Sequence, residues 1–133
     1  MGTLINWEAY DVMERVEGRV NEALEAWVNV ELAGNAGILS FMVDTGFAGT
    51  LMLPIECAQI LALPPKGREQ FVGVEGKPFL ATVTQIDISW LGDEFTVPAV
   101  ISEAGDALLG SDMLVDAVLT IDYARGTVKI EKE

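Results

Sequence analysis

Apolar residues recur at every second position through much of this chain, and that period is what most narrows the folds open to it. Ala26, Val28, Val30 and Leu32 fall on one side; Glu25, Trp27, Asn29 and Glu31 fall on the other. Side chains alternate across an extended backbone, so this stretch predicts a strand buried on one face. Gly34, Asn35 and Gly37 supply a turn. Residues 38–43 are nearly all apolar and predict a second, central strand that runs directly into Asp44-Thr45-Gly46.

Residues 51–53 form a brief apolar piece. Pro54 then suits the first turn of a short helix carrying Ile55, Ala58, Gln59, Ile60 and Leu61, which residues 63–67 stop. Cys57 lies in that helix and reads as structural, since no base or second cysteine is present to activate it. Residues 69–74 and 77–84 flank Glu75-Gly76 and predict a hairpin. Its second strand continues through Ile86, Ile88 and Trp90. A turn over 91–94 leads to a strand over 95–101, where Pro98 requires an edge or a bulge. After residues 107–110, Ser111 is placed to cap a short helix over 112–115. Two further strands, 117–122 and 127–131, surround Tyr123-Ala124-Arg125-Gly126.

At the N-terminal end, Trp7, Tyr10, Met13 and Val16 have a spacing of about three residues, which fits one face of a helix. Residues 1–17 are therefore read as a short helix or an extended arm, and residues 18–133 as a single domain. The sum is a mostly β domain with seven or more short strands and two short helices, closed or partly closed into a barrel.

Charge and composition exclude several functions. There are 21 acidic and 8 basic residues, for a net charge of -13. Nucleic-acid backbones and anionic membranes are repelled by such a surface, so neither is expected as a partner. The chain has no histidine, which removes imidazole bases, imidazole-dependent triads and the usual zinc sites. Its single cysteine cannot form an intrachain disulfide. No apolar run approaches the ~20 residues that span a bilayer. Residues 1–6 do not lead into a signal-peptide core, so the expected location is the cytoplasm.

The stretch richest in chemistry is Phe41-Met42-Val43-Asp44-Thr45-Gly46. A carboxylate at the end of a buried strand is costly unless something satisfies it. Gly46 lacks a Cβ and lets backbone amides approach; Thr45 can anchor the loop by a hydrogen bond. Phe47, Ala48 and Gly49 complete an apolar wall and a second tight backbone position. Such a loop can hold one carboxylate rigidly at the floor of a groove.

Val43-Asp44-Thr45-Gly46, the short helix opened by Pro54, and Ala107-Leu108-Leu109-Gly110 followed by Ser111 and Asp112 resemble the aspartic peptidases of the retropepsin type, especially their small soluble bacterial members. The resemblance covers about residues 27–130. It implies a mainly β fold, the retropepsin-like acid-protease barrel that forms half of a pepsin-like bilobal enzyme, with two short helices. It implies that Asp44 is the catalytic residue of an aspartic endopeptidase. Thr45, Gly46, Leu108, Leu109 and Gly110 would support the active-site loop.

The resemblance also implies a homodimer through the active site, because the chemistry needs two aspartates and the chain holds one Asp-Thr-Gly. Two carboxylates about 3 Å apart share one proton, and a water activated between them attacks the peptide carbonyl. Thr45 and its copy would lock the two loops together. The substrate is a peptide or protein; no metal and no cofactor is required. By position, Phe71, Val72, Gly73, Val74, Glu75 and Gly76 match the flap, a hairpin that closes over substrate. The family usually has a small residue straight after Asp-Thr-Gly; this chain has Phe47, which alters the shape of nearby subsites.

Other acids read as structural or solvated: Asp87, Asp93, Asp106, Asp112, Asp116 and Asp122 are too scattered for the dense ligand spacing of a calcium loop. Trp27 stands on the polar face of its strand and could meet the arm or a partner chain. The arm could cover a sheet edge, join the dimer, or block the groove until removed. A second reading of the same fold is a non-catalytic peptide-binding or scaffolding module.

Overall fold

In the computed structural model, which describes residues 14–72, 76–103 and 105–133, the alternating segments become strands of one extended sheet. They are β1 (Arg15–Val20), β2 (Ala26–Leu32), β3 (Ile38–Val43), β4 (Leu51–Pro54), β5 (Gly67–Val72), β6 (Pro78–Trp90), β7 (Asp93–Ser102), β8 (Leu108–Leu109), β9 (Ala117–Asp122) and β10 (Thr127–Lys132). Their order across the sheet is β5-β6-β7-β4-β8-β3-β2-β1-β10-β9. A single short α-helix, α1 (Ile55–Ile60), appears among the described residues, directly after β4.

The period of two is what builds the core. Ala26, Val28, Val30 and Leu32 of β2 are all buried, while Asn29 and Glu31 between them are exposed. Phe41 of β3, Leu51 and Leu53 of β4, Ile88 of β6, Leu109 of β8 and Ile130 of β10 join them with no exposed surface. Burial of each such side chain contributes about 1.5–3 kcal/mol. β3 keeps the alternation despite its apolar sequence, so Ile38 is exposed. Pro98 also finds the setting it needs. β7 has β6 as a neighbour along its length but meets β4 only from Ala99 onward. The missing proline N–H therefore falls where β7 is still an edge.

Three expectations are corrected. The strands do not form a barrel. A barrel requires continuous ladders around a closed ring. Here β8 has two residues, and β2 meets β6 through only two residue pairs, Glu31 with Ser89 and Leu32 with Ile88. β5 and β9 remain as edges of the order. The second helix is also absent: Ser111–Leu114 is a single 3-10 turn whose N-cap is Gly110, not Ser111. Its first amides are drawn back to the Asp44 loop, since Ser111 N donates to Phe47 O (2.9 Å) and Asp112 N to Gly49 O (3.0 Å).

Finally, Val16 does not end a helical face. It lies in β1, is buried in the core, and pairs opposite Ile130 of β10. The rest of that helix reading, residues 7–13, lies outside the described residues.

Candidate active site

Asp44 follows the last residue of β3, and the segment that holds it comes from far along the chain. β8 runs parallel to β3, with Met42 opposite Leu108 and Val43 opposite Leu109. β8 also pairs antiparallel with β4, so Leu109 lies between Val43 and Leu51. Met42 N donates to Ala107 O and Asp44 N donates to Leu109 O, each at 2.9 Å. The residue that carries the carboxylate is thus tied by its backbone to a fully buried leucine.

The carboxylate itself is half-buried. Its Oδ1 accepts a hydrogen bond from Gly46 N at 3.0 Å. This is the local turn that an aspartate makes with the backbone two residues on. A Cβ at Gly46 would stand 3.3 Å from that oxygen, so the glycine gives the carboxylate room. Phe47 N donates to Asp44 O at 3.1 Å and closes the turn. Thr45 and Gly46 are exposed at its tip. Among the described residues the Thr45 hydroxyl has no hydrogen-bond partner within this chain, so the expected intrachain anchor is not made.

Gly110 is the closest packing point of the site. A Cβ there would collide with Gly49 O and stand 2.7 Å from Phe47 O. Gly110 N donates to Thr50 O at 2.7 Å. Ser111 adds its hydroxyl to the Phe47 carbonyl at 3.4 Å. One residue that sequence reasoning left aside, Thr50, and one that it read as a helix cap, Ser111, therefore help to frame the loop. Thr50 accepts from Gly110 and donates its own hydroxyl to Pro98 O. Ser111 is bound to the loop and does not cap a helix. A hydroxyl on each side of the Gly49 and Gly110 pair was the available signal. Across the loop, the Phe47 ring lies against Gly49, where a Cβ would meet it at 2.7 Å.

The residues named for the site thus fall into two groups. Asp44, Thr45, Gly46, Phe47, Ala48 and Gly49 are brought together with Leu108, Leu109 and Gly110. The hairpin is separate in the sheet. β5 is an edge strand paired with β6, with Phe71 opposite Phe79 and Val72 opposite Pro78. Val72 is exposed, and Gly76 has φ +75. Gly73, Val74 and Glu75 lie outside the described residues.

A hollow of ≈ 390 Å³ opens beside Asp44, bordered by Leu24, Glu25, Met42, Thr45, Ile121 and Tyr123. A larger one, ≈ 620 Å³, lies around Trp27, Arg19 and Lys129 and includes none of residues 44–50. The smaller hollow is the one that the Asp44 loop borders. Among the described residues no three Asp, Glu or Cys side chains gather to hold a metal ion, and no helix is long and apolar enough to cross a membrane. Three of the scattered acids have local partners: Asp87 accepts from Thr96, Asp93 meets Lys132 and Asp122 meets Arg125.

The structure is similar to a retropepsin-like aspartic protease from Rickettsia conorii, with a TM-score of 0.60 and 19% identity over 89% of this chain and 90% of that chain. It is also similar to foamy viral protease-reverse transcriptase in complex with an RNA/DNA hybrid, at a TM-score of 0.49 and 18% identity, over 67% of this chain and 11% of that one. No protein-family model matches the chain, and no curated protein matches it. At 19% identity the first likeness speaks to fold. The chain has a distant likeness to the retropepsin-like aspartic protease fold.

Proposed function

We propose that this chain is one half of an aspartic endopeptidase, with Asp44 and its symmetry copy forming the catalytic pair of a homodimer. The observation that carries the reading is the mounting of Asp44. Its backbone N–H is bonded to Leu109 O, its carboxylate accepts from Gly46 N, and Gly110 packs against the loop it heads. A carboxylate fixed in this way, on a fold that resembles an aspartic protease, is prepared for acid–base work and not merely for solvation.

In the proposed chemistry, symmetry brings two such carboxylates within about 3 Å, where both cannot be ionised at once and the pair holds one proton. The ionised member removes a proton from a water as its oxygen attacks the scissile carbonyl carbon. The protonated member donates to the carbonyl oxygen. Collapse of the tetrahedral intermediate breaks the C–N bond, and a proton passes to the leaving nitrogen. The exposed Thr45 hydroxyl, which has no hydrogen-bond partner among the described residues, would bind across the two-fold axis. The β5–β6 hairpin, with Phe71, Val72 and Gly76, is the proposed flap. It would hold the peptide by main-chain bonds of the kind that add a strand to a sheet.

The test is incubation of the purified protein with a diverse peptide library across about pH 3 to 7, beside an Asp44→Asn control. Cleavage by the parent protein and not by the control supports the enzyme. Peptide binding without cleavage at every pH would instead favour a non-catalytic module on the same fold.

A further inference from the structure

The outer face of the sheet formed by β2, β1, β10 and β9 carries side chains that the core does not use. Arg19 of β1 stands opposite Trp27 of β2, and Glu17 of β1 opposite Lys129 of β10. Residues paired across antiparallel strands share a face. Val28, next to Trp27, points into the core with no exposed surface, so these four point away from it. With Asp122 and Thr127 they line the hollow of ≈ 620 Å³. Glu17 is ion-paired with Arg15 and Asp122 with Arg125, each at 3.0 Å, and Lys129 with Glu131 at 3.2 Å. Arg19 has no carboxylate partner among the described residues. The indole N–H of Trp27 is buried and has no hydrogen-bond partner among them either. A buried donor without an acceptor is costly, and here it sits beside an unpaired guanidinium on the directly opposite residue.

Residues 1–13, which lie outside the described residues, join the fold next to this face. Glu14 stands in a turn directly before β1, so the chain changes direction as it leaves the sheet. Glu17, three residues on, already borders the hollow. Such a segment reaches about 43 Å when extended and about 20 Å as a helix, whereas four strands are only about 14 Å across. Its sequence supplies what the face lacks: Trp7, Tyr10 and Met13 at a spacing of about three, the acids Glu8 and Asp11, and no Lys or Arg. A second hollow bordering β1, of ≈ 500 Å³, is lined by Glu17, Glu31, Asp93 and Glu94 with Arg15 as its one cation. The hollow beside Asp44 has Glu25 and Asp44 on its border and no base. Like charge disfavours an acidic segment at both.

We propose that residues 1–13 fold back over the outer face of this sheet, with Trp7, Tyr10 and Met13 against Trp27 and the acids Glu8 and Asp11 towards Arg19. A backbone carbonyl of the segment would accept from Trp27 Nε1. Covalent attachment makes the docking intramolecular. A short tether supplies an effective concentration in the millimolar range, so a few weak contacts suffice. The covered hollow includes none of residues 44–50. Such a position leaves the Asp44 groove open, and it holds whether or not the protein cleaves peptides.

The experiment is paramagnetic broadening in amide NMR spectra of the full chain. A nitroxide is attached at Thr3→Cys in a Cys57→Ala background, Cys57 being the one native cysteine. The expected result is loss of the amide signals of Gly18, Arg19, Thr127 and Lys129 and of the Trp27 indole N–H, with those of residues 44–50 and of β5 retained. Arg19→Glu should restore the lost signals. Adding Glu8→Lys and Asp11→Lys to Arg19→Glu should remove them again, a charge-swap rescue that general damage to the fold cannot produce. In a mixture of nitroxide-bearing chain with isotope-labelled chain that lacks the nitroxide, the signals of the labelled chain should be unaffected. Loss centred on residues 44–50 overturns the proposal and puts the segment in the groove. Retention of every signal overturns it by showing the segment undocked. Loss in the mixed sample overturns it by showing that a second copy covers the face.

Discussion

The backbone N–H of Asp44 is bonded to the carbonyl of Leu109 at 2.9 Å, so the position of the candidate catalytic residue depends on a strand from the other end of the domain. Leu109 has no exposed surface and pairs with Val43 on one side and Leu51 on the other. Cutting its side chain back to alanine leaves a cavity directly behind the loop.

Leu109→Ala should therefore cost about 2–5 kcal/mol of folding stability, and Leu109→Met less than about 1.5 kcal/mol. Urea denaturation of the two variants checks this. Equal, small losses would mean that the position tolerates a void and does not brace the loop.

Gly110→Ala tests the close approach itself. The new Cβ would collide with the Gly49 carbonyl oxygen, which belongs to backbone and cannot swing aside. Displacement of the loop should cost about 1–3 kcal/mol. At temperatures where the variant remains folded, cleavage should fall further than the folded fraction does. A thermal melt and a peptidase assay on the same sample separate the two effects.

Asp44→Asn should leave the fold in place, because the amide oxygen can still accept from Gly46 N and the side chain is only half-buried. It removes the group that takes and gives protons, so cleavage should fall by about 10²–10⁴-fold. Peptide binding by titration calorimetry should survive. Unchanged cleavage would place the chemistry elsewhere in the molecule.

Gly18→Ala addresses the β1–β2 ladder. Gly18 pairs with Val28, and an added Cβ would strike the Trp27 carbonyl oxygen and approach the Val28 Cα at 2.7 Å. The two strands must separate locally, at a cost of about 1–3 kcal/mol. Hydrogen exchange should quicken at the amides of β1 and β2 and not in the β5–β6 hairpin.

What could be read from the sequence follows from how local each signal is. Residues 38–43 and the Pro54 helix were legible because a short apolar run and proline placement act within a few residues. β1 was not. Val16 fits the three-residue spacing of Trp7, Tyr10 and Met13, but it equally fits alternation with Gly18 and Val20. Pairing with β10 and β2 decides the matter, and pairing is a long-range property. Gly18, the first residue after the segment read as a helix or arm, is instead a point of strand-to-strand contact.

Closure of the sheet was beyond reach for the same reason. It depends on ladder lengths, and the β2–β6 ladder is only two pairs long. Ser111 was misassigned because its amide and hydroxyl serve Phe47 across the loop and not its own turn. The carboxylate turn at Asp44 and Gly46 was legible, being a contact between residues two apart. Its reinforcement by Thr50 was not, since that depends on Gly110 and Pro98.

The most direct test of the central claim is the separation of the two Asp44 carboxylates in a crystal structure of the protein bound to a transition-state-like peptide. The account requires a two-fold dimer with those oxygens about 3 Å apart and the peptide lying across both. A peptide bound to a single chain, or a dimer whose Asp44 side chains lie beyond about 9.5 Å, too far apart to share even one water, would contradict it.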